Sequence, residues 1–181
     1  TLIDSGQPYF MLPLQLNTDA QIIHHSPYEN MEEVMDHVMG SFAAHAPQEA
    51  LLCIKNHPLD MGLVDYPAII QRLENFYDLK GRIVYLESGD LNQLLKYAAG
   101  TVTVNSTVGI VSLEHQCPTF ALSKPIYHMA GLTYQGSLEE FWHQPPPPSA
   151  QLFDYFRNTV MYATQLNGGF YCQPGIDLAV N

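Results

Sequence analysis

The sequence predicts an α/β fold in which a parallel sheet is covered by helices on both faces. Three observations carry this reading. Short apolar runs recur along the chain, helical patterns separate them, and the runs are continuously apolar and do not alternate with polar residues. Strands buried on both faces have no polar side to show, so unbroken apolar runs are what a doubly covered sheet demands.

The elements follow in order. "PYFMLPLQL" (8–16) reads as the first strand. In "SPYENMEEVMDHVMGSFAAHA" (26–46), Met31, Val34, Met35, Val38, Met39 and Phe42 recur at the spacing of one face of a helix, with Ser26 as expected N-cap and Pro27 at the first helical position. A strand is expected at 49–56 and a helix at 66–77, then a strand at 81–87 and a helix at 90–99. A strand at 101–105, a helix at 107–115 and a strand at 118–122 complete the regular part. Such β-α-β units make a Rossmann-like sheet. The tetraproline in "QPPPPSA" (144–150) fits neither helix nor inner strand. It reads as a stiff spacer, with a polyproline ligand for a partner as the alternative. The expected organisation is therefore a Rossmann-like α/β domain over 1–143, then a proline-rich connector and terminal helix over 144–181 packing back on it.

Composition narrows the function classes. A chain of 181 residues suits one domain, and 46% apolar against 14% charged residues marks a folded chain. A net charge of −11 with only seven Lys plus Arg, thinly spread, argues against nucleic acid, which needs clustered cations. Cys53, Cys117 and Cys172 are odd in number and far apart, which suits reduced thiols and a cytoplasmic location. No apolar stretch is long enough to span a bilayer, and no signal-peptide pattern opens the chain. The first residue is Thr1, not Met, so the chain reads as a piece of a longer polypeptide.

In open parallel sheets, ligands gather beyond the carboxyl ends of the strands. The polar segments expected there are Gln15 to Asp19, Lys55 to Pro58, Glu87 to Asp90 and Asn105 to Thr107. "NSTVG" ends a strand and opens a helix, so Ser106 or Thr107 can cap the helix while its free N–H groups attract an anion. His57, presented by Pro58, offers an imidazole donor for a phosphate, or else for a backbone carbonyl. Lys55 adds charge nearby or lies along the surface. Glu87, Ser88 and Asp90 fall where a base or ribose could rest, and they also read as an ordinary turn and cap. His24, His25 and His37 lack any metal-ligand spacing and are expected on the surface. GxGxxG, GxxxxGK[ST] and GxSxG are all absent.

"PLQLNTDAQI", "IKNHPLDMG", "VTVNSTVGIVSLEHQCPT", "AGLTYQGSLEEFW" and "TQLNGGFY", in this order from about Tyr9 to Tyr171, resemble the bacterial capsule polysaccharide synthesis family, specifically its single-module capsular β-Kdo transferases. The resemblance implies that the domain over 1–143 binds a nucleotide-sugar as the C-terminal, donor-binding half of a GT-B glycosyltransferase, with an N-terminal acceptor half beyond these residues and no activity expected of this half alone. It implies retaining transfer of Kdo from CMP-β-Kdo to a phosphatidylglycerol-type lipid or its Kdo linker, in the cytoplasm or peripherally at the inner face of the membrane. His57 and Pro58 match the family's histidine-proline motif, and Asn105, Ser106 and Thr107 its Ser/Thr motif, both implied to contact the CMP phosphate. Gln15 and Asp19 match its QxxxD motif, with Asp19 the implied carboxylate at the anomeric carbon; otherwise Asp19 reads as a turn or cap. Glu114 follows the Ser/Thr motif as a candidate ribose-binding acid, at a longer spacing than usual. The implied partners are the CMP-sugar, a lipid-linked acceptor and other capsule assembly proteins. No cofactor or metal is expected, because a CMP-sugar carries one phosphate and the chain has no DxD motif. Other CMP-sugar transferases such as sialyltransferases, GT-B-like sugar-nucleotide epimerases, and a non-catalytic capsule assembly module remain the alternatives.

Overall fold

The computed structural model describes residues 2–16, 22 and 25–164, so Asp19, His24 and Cys172 lie outside the described residues. In chain order the elements are β1 (Tyr9–Pro13), α1 (Met31–His45), β2 (Leu51–Lys55), α2 (Tyr66–Phe76), β3 (Ile83–Leu86) and α3 (Leu91–Tyr97). They continue with β4 (Gly100–Thr103), α4 (Val108–Glu114), β5 (Thr119–Ala121), α5 (Leu138–Phe141) and α6 (Ala150–Thr164). The strands form one parallel sheet in the order β3-β2-β1-β4-β5. Met11 is the centre of the register, opposite Cys53 on one side and Thr101 on the other.

Alternate residues of β1 explain the two covered faces. Phe10 and Leu12 join α1, α2 and α5 in the main core, where Phe42, Phe141 and Trp142 surround Phe10 at centroid distances of 5.0 to 6.5 Å. Tyr9 and Met11 point to the other face, with Cys53, Leu94 and Leu95 under α3 and α4. Burial on both faces is the physical reason the strands carry no alternation. Gly100 opens β4 because an added Cβ would come within 2.8 Å of the Phe141 ring.

The main helix starts later than its sequence suggests. Asn30, not Ser26, is the N-cap of α1 and accepts from the Glu33 N–H at 3.0 Å. Ser26 instead donates to the Ile22 carbonyl at 2.7 Å and accepts from the Tyr28 N–H at 3.1 Å, holding the chain in a turn. The "NMEE" stretch carried the better signal, a capping residue followed three places later by Glu. Helix α5, not anticipated, begins with a complete capping box between Ser137 and Glu140. Beyond the irregular prolines, α6 lays Phe153 against Leu113 and Tyr127, and Arg157 faces Glu114 of α4 at 3.8 Å.

Candidate functional site

The strand order reverses direction at β1, whose sequence neighbours lie on one side and β4 on the other. That reversal opens a crevice at the carboxyl ends of β1 and β4, the usual ligand position in such sheets. Here a cavity of about 530 Å³ is lined by Gln15, His57, Asn105, Ser106 and Thr107, joined by His25, Ile110 and the segment Lys124 to Tyr127.

Gln15 follows β1 and is 4% exposed. Its Nε2 donates to Asn105 Oδ1 at 3.1 Å, and its Oε1 accepts the Asn105 N–H at 3.4 Å. This two-way bond locks the ends of β1 and β4 together. Asn105 Nδ2 then donates to the His25 carbonyl at 3.2 Å, which also accepts from Ser123 Oγ at 2.7 Å. His25 is exposed, as expected, and its carbonyl is held at the cavity wall.

The turn after β2 explains why a strand ends in "NHPLD". Asn56 continues the ladder to the Leu86 carbonyl at 2.8 Å, its Oδ1 accepts the His57 N–H at 2.8 Å, and its Nδ2 donates to Asp60 at 3.0 Å. His57 Nδ1 accepts the Leu59 N–H at 3.1 Å. A ring nitrogen that accepts is unprotonated, so the neutral imidazole carries its hydrogen on Nε2, which becomes the available donor. Pro58 is exposed beside it and does not line the cavity.

The "NST" turn differs from its sequence reading. Ser106 Oγ accepts the Val108 N–H at 3.1 Å, and the Gly109 and Ile110 N–H groups bond to the Ser106 and Thr107 carbonyls at 3.0 Å. The first helical N–H groups are therefore spent within the turn. Thr107 occupies the N-cap position without a side-chain cap bond. Its hydroxyl and His57 Nε2 are polar donors on the cavity lining.

The sequence reading missed the segment after β5. Lys124 is the one Lys or Arg among the described lining residues, which include no Asp or Glu. Tyr127 is 1% exposed, donates to the Ser106 carbonyl at 2.6 Å, and packs so tightly on α4 that a Cβ at Gly109 would lie 2.3 Å from its oxygen. Burial pushes its phenol up from the ordinary tyrosine range. The rule applied to the other strand ends, extended to β5, would have singled out "SKPIY".

Other candidates sit elsewhere. Glu87 is exposed after β3, two strands from β1, and Glu114 faces Arg157; neither lines the cavity. Asp90 caps α3, accepting from Asn92 and Gln93 at 2.9 and 3.3 Å. Lys55 is 7% exposed, neither on the surface nor in the cavity, and its Nζ reaches the Asn56 carbonyl at 3.3 Å. His37 Nδ1 lies 2.6 Å from the Tyr28 hydroxyl.

Residues 1–171 match the family described as capsule polysaccharide biosynthesis protein. The chain belongs to that family. Among curated relatives of this capsule polysaccharide biosynthesis protein, the capsule polysaccharide modification protein LipB of Neisseria meningitidis is 39% identical over 166 residues, covering 91% of this chain and 40% of its own length. The capsule polysaccharide export protein KpsS of Escherichia coli is 39% identical over 165 residues, covering 91% and 42%. The chain thus spans about two fifths of the length of these relatives.

Two solved structures share the fold of this capsule biosynthesis protein. KpsC of Thermosulfurimonas dismutans, a β-Kdo 2,7 transferase, superposes with a TM-score of 0.52 at 24% identity over 76% of this chain and 44% of its own. Anabaena HepE in complex with UDP-glucose gives 0.53 at 11% identity over 88% and 41%. The sheet is Rossmann-like, resembling the C-terminal half of a GT-B glycosyltransferase. Among the described residues, no helix is long and apolar enough to cross a membrane.

Proposed function

We propose that this chain is the donor-binding half of a retaining glycosyltransferase of capsule synthesis, taking β-Kdo from CMP-β-Kdo to a phosphatidylglycerol-type lipid or its Kdo linker. The observation that carries the reading is the meeting of His57, Ser106 and Thr107 on one cavity whose described lining residues include no acid. An acid-free cavity in a chain of net charge −11 suits an anionic ligand.

In this reading the bond between the anomeric carbon and the CMP phosphate breaks, and CMP leaves with the electron pair. His57 Nε2 and the Thr107 hydroxyl donate to the phosphate oxygens as that charge develops, and fixed donors of this kind lower the barrier. Asp19, outside the described residues, supplies the carboxylate that takes the anomeric carbon in a first displacement. An acceptor hydroxyl replaces it in a second, its oxygen bonding the anomeric carbon as the Asp19 carboxylate departs with its electron pair and the hydroxyl proton passes to water, giving retention. Gln15 holds the strand end from which Asp19 follows by four residues. Ile110, Pro125 and Ile126 provide apolar surface for a base. Glu87 and Glu114, set apart from the cavity, take no part. A single donor phosphate needs no divalent ion to bridge a diphosphate. The work is done on the cytoplasmic side, with an N-terminal acceptor domain and the lipid acceptor as partners.

The test is mass spectrometry of products formed by the full-length protein given CMP-Kdo or CMP-sialic acid, with EDTA present. Transfer of Kdo alone supports the proposal. Transfer of sialic acid alone, epimerised nucleotide, or CMP binding without turnover replaces it with the corresponding alternative.

A further inference from the structure

A second cavity, also of about 530 Å³, adjoins the first and shares two of its walls, His25 and Lys124. Its remaining lining includes Ser26, Ser123 and His128, and no Asp or Glu among the described residues. The two hydroxyls are committed to the framework, Ser26 Oγ to the Ile22 carbonyl and Ser123 Oγ to the His25 carbonyl, both at 2.7 Å. What remains for a ligand is two imidazoles and an ammonium. His128 Nδ1 lies 3.3 Å from Thr133 Oγ1, which fixes the ring and leaves Nε2 with no hydrogen-bond partner among the described residues. Three groups able to carry positive charge around one opening, in a chain with seven Lys plus Arg against 18 Asp plus Glu, are complementary to an anion.

The two cavities are also mechanically joined. Gln15 holds Asn105, Asn105 holds the His25 carbonyl, and Ser123 holds the same carbonyl from the far side. A group bound at Asn105 to Thr107 therefore sits across a fixed wall from a group bound at His128.

We propose that the cavity formed by His25, Lys124 and His128 is a second anion subsite, which takes a phosphate or carboxylate of the acceptor while the donor occupies the first cavity. The placement as acceptor subsite rests on the proposed function; the anion binding does not. Imidazole resonances followed by NMR, with the chain saturated in CMP, test it during titration with inorganic phosphate and, separately, acetate. The expected result is a saturable shift of the His128 and His25 rings that persists with CMP bound, the tighter probe naming the acidic group. His128→Gln, which does not touch the first cavity, is expected to weaken that binding at least tenfold while CMP affinity stays unchanged. The proposal is overturned if neither probe shifts His128, if CMP displaces the probe competitively, or if His128→Gln binds it as the wild type does. Failure of CMP to bind, with phosphate still shifting His128, counts against the donor reading and leaves the anion subsite standing.

Discussion

The Tyr127 hydroxyl donates to the Ser106 carbonyl at 2.6 Å, so the segment after β5 and the turn after β4 form one wall. The bond joins residues 21 apart in sequence, and the same ring fills the space above Gly109. Tyr127→Phe keeps the packing and removes the bond, a loss of about 1 kcal/mol for a neutral hydrogen bond. Urea denaturation should report that loss, and CMP affinity measured by calorimetry should fall because the turn after β4 loses its tie. Unchanged affinity would show that the turn holds its shape without the tie.

Gly109→Ala tests the same contact from the other side. An added Cβ meets the Tyr127 oxygen and ring at 2.3 to 2.7 Å, and overpacking of this kind costs about 1–3 kcal/mol. Urea denaturation should show that loss. Pairing Gly109→Ala with Tyr127→Leu, which removes the opposing ring, should recover part of it.

His57→Ala removes a donor proposed to act on the leaving phosphate. Transfer by the full-length protein should slow by about 2–4 kcal/mol in barrier, the scale of one such group. Asp19→Ala should abolish transfer and leave CMP binding intact. Full turnover by the Asp19 variant would remove it as nucleophile.

Gln15 is buried, and its amide bonds Asn105 in both directions. Gln15→Leu removes both bonds that tie the ends of β1 and β4, at about 1 kcal/mol for each neutral hydrogen bond. Chemical denaturation should report that loss, and CMP affinity should fall with it because the wall moves.

Alkaline stability follows from buried acids. Burial holds the Cys53 thiol at about 12 and the Tyr9 phenol at about 12, above their ordinary values of 9.0 and 10.0. Between those limits the unfolded chain releases protons that the folded chain retains. Stability therefore falls as pH rises from about 9 toward 12. Urea midpoints across that range should decline steadily, and Cys53→Ala should flatten the lower part of the slope.

Several elements were legible because their signals are local. The spacing of Met31, Val34, Met35, Val38, Met39 and Phe42 marks α1, and those residues are all buried in it. The apolar runs marked every strand of the sheet, with ends trimmed where a ladder partner stops: β1 pairs only over Tyr9–Pro13 because β2 ends at Lys55. His57, Asn105, Ser106 and Thr107 could be named as candidates because polar residues gather beyond the carboxyl ends of buried strands, and all four line the cavity. His25 could not, since its carbonyl is fixed at the cavity wall by Asn105 and Ser123, 80 and 98 positions away.

Periodicity and capping chemistry act between neighbours a few residues apart, so the amino-acid order alone determined the alternation of strands and helices and the polar strand tips. Strand order is a different matter, because β1 lies between β2 and β4 only once separate apolar faces compete to be buried together. That choice made the cavity, seated two basic residues on the wall between it and its neighbour, and left Glu87 and Glu114 outside it.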